Sequence, residues 1–480
     1  LDEYKLFVQR IGLVGITNIL IALSSLILLP ILTKGLSITE YGTWVIIMTT
    51  IALIPNIANL GLPYTMVRFL SAEKDKNKIS EDFYSLASIV FISSFVIFLI
   101  LYIFSNILSA ALFSGDINLT RLVLVIVFVA CLNAFLLNFF RTFQQMRLYS
   151  IILLLQTYLG IFFVSYLVVK GYGLYIVSIG FLAANVISLV IMMVFIIRDI
   201  GLKLPKFGNI KEYLSFGIPT IPANLSSWVV DSSDRYVIGI FLGAAFVGYY
   251  SPGYTLGNIV LMILAPFGLL LPTVLPKYYD DNKMDEVKKF IKYSMKYFLL
   301  IAIPSAFGLS ILSKPILMIL TTQSIALNGY LVTPFVAFSV VLYGVYAITG
   351  NVLILAKRTR LVGITWIIAA ILNLVLNILF VPYLGILGAA FITLIAYLVA
   401  FIITLHYSFK IFDFDFDLIF IVKSMVASIL MSIAIFMFNP EGILNVIIAM
   451  VLGVVIYSIV ILTLKAIKWD EFKFIKEMFN

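Results

Sequence analysis

"WVVDSSDRYVIG" (228–239) sets two aspartates and an arginine inside an apolar run. Whether that run is a buried core segment or a membrane crossing decides the fold, because a charge in lipid is costly and is retained for a reason. The rest of the chain answers. Its 480 residues are 63% hydrophobic, 15% aromatic and only 11% charged, and the mean hydropathy is +1.15. Ordinary soluble domains carry about 25% charged residues. Apolar segments of roughly 20 residues, enough to cross about 30 Å of hydrocarbon, recur from one end to the other. We count about fourteen, among them 11–33, 41–67, 213–242, 361–381, 384–407, 418–438 and 444–464. These runs are continuous and lack the in-out alternation of barrel strands, so the fold class is all-α, a polytopic membrane protein of 14 transmembrane helices. The first span has no small-residue cleavage site after it and reads as a retained helix. A single cysteine, Cys131, excludes an internal disulfide and a cysteine-based metal cluster.

Lysine and arginine give the orientation, since they stay on the cytoplasmic side. With the N-terminus inside, only Lys34, Arg121, Lys170 and Lys314 fall outside and Arg235 falls within a span. The other members of the 32 basic residues, from Lys5 and Arg10 to Lys468, Lys473 and Lys476, fall inside. A miscount of one helix would scramble this alternation, so both termini are expected to be cytoplasmic. The net charge of +9 is then mostly orientation signal with anionic lipid as its partner, and it calls for no nucleic acid. The outer segments near 105–118 and 321–330 read as short polar connectors, too short for a catalytic domain. No Gly-x-x-x-x-Gly-Lys loop is present, so ATP hydrolysis and a nucleotide cofactor are not expected.

Internal echoes suggest a repeat. Aligning Gly42 of "GLSITEYGTW" (35–44) with Gly248 of "FLGAAFVGYYS" (241–251) also brings Asn18 onto Asn224, and Gly173 aligns with Gly385 at a similar offset. The domains expected are therefore 1–200, a six-helix bundle; 201–410, a second and pseudo-symmetric six-helix bundle; and 411–480, two additional helices. Both copies enter from the same face, which suits two halves rocking around a central cleft. Pro30, Pro55, Pro63, Pro219, Pro222, Pro252, Pro266 and Pro272 fall in spans one, two, seven and eight, where freed carbonyls are tolerated against protein or water.

In this frame Asp231, Asp234 and Arg235, related by i, i+3 and i+4, share one helical face directed at the cleft. Two readings stand: an Asp231–Arg235 ion pair that fixes helix packing, or an anion site at Arg235 beside a cation or proton site at Asp231 or Asp234.

The stretch "GIPTIPANLSSWVVDSSDRYVIGIFLGAAFVGYYSPGY" (217–254) resembles the seventh and eighth helices of polysaccharide and O-antigen flippases, which belong to the multidrug, oligosaccharidyl-lipid and polysaccharide exporter superfamily. "NLGLPYTMVRFLS" (59–71) is similar to their second helix with its terminal arginine, here Arg68, and "YLGILGAAFITLIAY" (383–397) to the start of their twelfth. The resemblance implies alternating-access movement of a polyprenyl-diphosphate-linked oligosaccharide, on an undecaprenyl or dolichyl carrier, to the outer leaflet of the cell membrane. The chain is then a transporter and not an enzyme, working as a monomer beside polysaccharide polymerase machinery. Arg68 and Arg235 would hold the diphosphate at successive stages, because guanidinium groups replace the water a phosphate loses. Asn18, Asn224, Tyr254 and Asn258 would hydrogen-bond sugars or, equally, pack helices. Arg141, Arg147, Lys357, Arg358 and Arg360 would draw in the headgroup from the cytoplasm or simply anchor loops. Coupling to H+ or Na+ through Asp231 or Asp234, and downhill flow drained by polymerisation, both fit. The alternative is a multidrug or organic-cation exporter of the same superfamily, which would want an acidic, aromatic cleft. "FDFDFD" (412–417) reads as a solvated connector and His406 as interfacial.

Overall fold

The structure, a computed structural model, describes the backbone of residues 2–466 and the side chains of residues 12–466. The side chains of Lys5 and Arg10, and Lys468, Lys473 and Lys476, lie outside the described residues. All regular elements among the described residues are helices. In lipid a spanning segment must satisfy its own N–H and C=O groups, and the helix does so locally. Among the described residues, twelve helical stretches are long and apolar enough to cross a membrane, one of them the composite run Ala244–Asp280. Large apolar side chains stay exposed along them, such as Phe91 and Ile92 or Val451 and Ile459, the surface that faces acyl chains.

The chain forms two compact units, Leu1–Gly248 and Tyr249–Asn480. The first holds α1 (Asp2–Gly35), α2 (Ile38–Ala58), α3 (Leu62–Leu70), α4 (Lys76–Ile103), α5 (Ser105–Leu112), α6 (Ile117–Thr142), α7 (Met146–Val169), α8 (Leu174–Ile200), α9 (Ile210–Gly217) and α10 (Ile221–Phe241). The boundary falls within α11 (Ala244–Asn258). The second unit continues with α12 (Ala265–Asp280), α13 (Met284–Leu320), α14 (Gln323–Gly329), α15 (Val332–Leu355), α16 (Thr359–Phe409), α17 (Leu418–Phe438) and α18 (Gly442–Thr463). The outer segments expected as polar connectors contain the short helices α5 and α14.

Within the first unit, Ser37 and Glu40 form a reciprocal capping box that starts α2. Glu40 also accepts the Leu174 N–H at 3.2 Å, tying that turn to the start of α8. The seventh span, which the repeat groups with the second bundle, is part of this unit as α10 and packs along α2. Tyr236 Oη donates to Thr50 Oγ1 at 2.7 Å. Glycine permits the close approach of the following turn. A Cβ on Gly42 would run into the Ala244 carbonyl, and one on Gly248 would lie 2.6 Å from the Ile38 carbonyl. The two glycines that the echo aligns thus meet at one crossing.

Spans two and seven, read as continuous, are both broken. α2 ends at Ala58, the chain turns through Leu60 and Gly61, and α3 restarts with Pro63 in its first turn. The seventh span divides into α9, a 3-10 turn over Ile218–Thr220 and α10, with Pro219 and Pro222 each in a first turn where the missing N–H costs nothing. The breaks lie against each other. Gly61 (φ 69°) carries a positive φ that glycine alone adopts freely, and a Cβ there would strike the Gly217 carbonyl. A Cβ on Gly217 would lie 2.6 Å from the Leu60 carbonyl. Thr65 Oγ1 donates to the Tyr213 carbonyl at 3.1 Å and holds the contact. Prolines supply the punctuation, but the reason for the break is this backbone-to-backbone contact, which no local pattern announces.

α3 is short and two-faced. Leu62, Met66 and Leu70 are buried at helical spacing in a core with Phe83, Phe135, Phe139 and Met192, while Tyr64 and Arg68 point out on the opposite face. Phe83 and Phe139 meet edge to face at 5.2 Å between centroids, a geometry worth about 0.5–1.5 kcal/mol beyond area. That seat fixes where Arg68 stands.

In the second unit, α16 runs 51 residues but carries a non-helical Gly385 (φ 64°, ψ −155°). Trp366 and Tyr397 lie edge to face at 6.2 Å between centroids; at about 1.5 Å per residue a straight helix would hold them roughly 45 Å apart. The chain therefore reverses at Gly385, as the separate runs 361–381 and 384–407 anticipate. "FDFDFD" is a connector only partly solvated: Asp413 and Asp415 are exposed, while its C-terminal end is tied to the helices. Asp415 pairs with Lys292 and Asp417 with the buried Lys296 at 3.5 Å. Asp417 also caps α17 through the Phe420 N–H, and Phe414 is buried against Phe409.

Candidate functional site

The two interrupted helices and α6 enclose a pair of adjoining hollows in the first unit. The smaller, about 180 Å³, is lined by Asn56 and Asn59 at the end of α2, Tyr64 on α3, Asn138 and Arg141 on α6, and Asn224 on α10. The larger, about 380 Å³, shares Tyr64, Asn138 and Arg141 and adds Arg68, Ser71 and Phe216. Local sequence explains each placement. Tyr64 and Arg68 are i and i+4 on the open face of α3, and Asn138 and Arg141 are i and i+3 on α6, whose other face buries Phe135 and Phe139. Asn224 is brought in by the break at Pro219 and Pro222, and its side-chain oxygen accepts from Tyr64 Oη at 3.2 Å. Two guanidinium groups and a set of carboxamides thus face one space, and none of the residues lining it is acidic. Such a wall can hold an anion and hydrogen-bond a polyol.

The sequence-derived residues divide accordingly. Arg68, Arg141 and Asn224 come together here. Arg147 is exposed at the start of α7 and Asn18 is exposed on α1, and neither lines the hollows. In the second unit, Tyr254 is buried with its ring tilted at 45° against Tyr250, Asn258 is half-buried at the end of α11, Lys357 and Arg358 are exposed between α15 and α16, and Arg360 is exposed in the first turn of α16. Tyr64, Asn56, Asn59 and Asn138 were missed. The available signals were the i, i+3 spacings of Asn56 with Asn59 and of Asn138 with Arg141.

Asp231, Asp234 and Arg235 form a separate cluster on α10. Arg235 takes the carboxylate of Asp234 at 2.9 Å, with side chains 11% and 0% exposed, and the same nitrogen donates to the Asp231 main-chain carbonyl. The neighbouring aspartate is thus a partner of Arg235, whose long side chain folds back along its own helix. Asp231 itself is exposed.

The second unit contains an apolar cavity of about 710 Å³ between the turn preceding α12, α13, α17 and α18, with Ile263, Pro304, Leu312, Met431 and Met450 among its walls. Tyr457 lines it, yet its hydroxyl is turned to Ser424 Oγ and the Leu300 carbonyl, both at 2.9 Å.

Residues 7–278 match the profile of a family described as polysaccharide biosynthesis protein, and residues 219–379 match the MatE profile. The chain is 23% identical over 277 residues to the "Probable low-salt glycan biosynthesis flippase Agl15" of Haloferax volcanii, covering 57% of this chain and 58% of that protein. It is 27% identical over 178 residues to the "Probable flippase AglR" of the same organism, covering 35% of each. The chain thus spans less than two thirds of either relative. Among solved structures, "Lipid II flippase MurJ, inward closed conformation" superposes with a TM-score of 0.77 at 19% identity, over 93% of this chain and 97% of that one. An inward-facing MATE multidrug transporter of the MOP superfamily superposes at 0.65 and 16% identity, over 83% and 98%. These likenesses establish the fold, and the first profile spans more than half of the chain: it is a multi-pass protein of the cell membrane and belongs to the polysaccharide biosynthesis protein family.

Proposed function

We propose that the chain is a flippase that moves a polyprenyl-diphosphate-linked oligosaccharide to the outer leaflet by alternating access. The observation that carries this is the convergence of Arg68 and Arg141 on hollows walled by carboxamides, at the place where two helices are broken. A diphosphate leaving water needs charge-assisted donors, and the two arginines supply them in bidentate form. The chain would cross the membrane fourteen times, as two bundles of six and a final pair, with α16 contributing two crossings and α9 to α10 one. Arg235, held by Asp234, would act at a later stage of passage. An inward H+ or Na+ flow would act through Asp231 or Asp234 by competing for that arginine.

The test is transbilayer movement of a labelled polyprenyl-diphosphate oligosaccharide in proteoliposomes. Wild-type chain should move it, the Arg68→Ala/Arg141→Ala variant should not, and imposed pH or Na+ gradients should change the rate if coupling holds. The MatE match over 219–379 favours a second reading, export of organic cations. Movement of a cationic dye and not of the lipid would establish it, although the ionised side chains facing the hollows are arginines.

A further inference from the structure

We infer that the smaller hollow reads one sugar ring of the transported glycan through carboxamide groups, and that Asn56, Asn59 and Asn138 are its specificity-determining residues. The inference rests on the flippase reading. The Asn56 side-chain nitrogen lies 2.9 Å from the Ala52 carbonyl and that of Asn138 lies 2.8 Å from the Ala134 carbonyl. A main-chain carbonyl only accepts, so the NH2 must face it and the amide orientation is fixed. Each of these asparagines has therefore used one of its two N–H donors on its own helix and keeps its oxygen and one N–H for the hollow. Asn59 is 4% exposed, and its side-chain oxygen is buried with no hydrogen-bond partner. A buried carboxamide oxygen left unmatched is unfavourable, and buried polar atoms are satisfied in nearly every native structure. That oxygen is closed off from the hollow, so a ligand donor would satisfy it once the carboxamide turns.

Three carboxamides around about 180 Å³, with no carboxylate in the wall, call for a neutral group that both donates and accepts hydrogen bonds. Drug-sized ligands take about 300–1,000 Å³, so the volume suits a single ring, bearing hydroxyl or acetamido groups. Asn224 accepts from Tyr64 with its oxygen and presents its NH2. Arg141 lines both hollows, so the ring it adjoins carries an anionic oxygen group, either the diphosphate or a sugar carboxylate. Charge selects the anion and the carboxamides select what is attached to it.

Binding to the full chain in detergent tests this with three probes: a short prenyl diphosphate without sugar, the same lipid carrying one glucose, and an alkyl glucuronide without phosphate. Wild-type chain should prefer the glucosyl lipid to the bare one by about ten-fold or more, the worth of one or two hydrogen bonds. In Asn138→Leu and Asn56→Leu the ratio should fall to about one, and Asn138→Asp, which keeps an acceptor, should retain part of it. Thermal unfolding of each variant separates lost discrimination from lost fold. Equal affinity of wild-type chain for the two lipids, or equal weakening of both in the leucine variants, would overturn the inference and leave the flippase reading standing. Binding of no prenyl probe would remove both. With discrimination present, glucuronide competition assigns the anion to the sugar, and its absence assigns it to the diphosphate.

Discussion

Removing the carboxylate of Asp234 leaves the Arg235 guanidinium, 11% exposed, without the oxygen it holds at 2.9 Å. Breaking a buried pair from one side costs about 3–5 kcal/mol, whereas replacing both partners with apolar groups is often close to neutral. Asp234→Ala should therefore lower the melting temperature of the purified chain markedly, and Asp234→Ala/Arg235→Met should recover much of the loss. A double variant no more stable than the single one would show that the pair is not the unit. The charges in "WVVDSSDRYVIG" were legible as cleft-facing or pairing residues, because a charge inside an apolar run stands out. Which aspartate pairs was not legible. Helical spacing draws attention to i, i+4, and the neighbour Asp234 is a partner because the arginine curls back to the Asp231 carbonyl as well.

The elements were read well as spans and poorly as broken spans. Hydropathy averages over about 19 residues and passes smoothly over the turn at Leu60 and Gly61. The two breaks exist because the Gly61 and Gly217 backbones cross, a contact between residues far apart in sequence. Gly61→Ala should be severe, combining a left-handed φ with a backbone collision, while Gly115→Ala meets nothing within 4 Å and carries only the φ penalty, about 1–2 kcal/mol. Melting temperatures that fall equally in both would remove the crossing as the cause. The segment 412–417 was legible as a connector but not in its pairing, since its partners Lys292 and Lys296 lie on α13. Asp417 caps α17 and meets a lysine whose side chain is 4% exposed, whereas Asp415 is 67% exposed. Asp417→Ala should cost a cap, about 1 kcal/mol, together with the buried contact. Asp415→Ala should shift the melting temperature little, as exposed pairs are worth about 0–1 kcal/mol.

At the scale of the whole molecule, class and fold were legible because lipid leaves helices as the only answer for apolar runs of this length. The asparagines of the smaller hollow were not, since Asn56, Asn59, Asn138 and Asn224 come from three helices and acquire a common purpose only in the folded unit. The crossing number links sequence and structure most directly. At about 1.5 Å per residue, a straight α16 of 51 residues would run roughly 77 Å, more than twice the hydrocarbon thickness, and its Trp366–Tyr397 contact requires a reversal. Two crossings within α16 put Tyr383 on one side and Asp413 on the same side as Lys357. In a Cys131→Ser background, a cysteine at Tyr383 should then react with a membrane-impermeant maleimide on intact cells. Cysteines at Lys357 and Asp413 should react only after permeabilisation. Labelling of Asp413→Cys from outside would make α16 a single crossing. It would also place α17 and α18 in reverse and set Lys410 and Lys423 against the positive-inside rule.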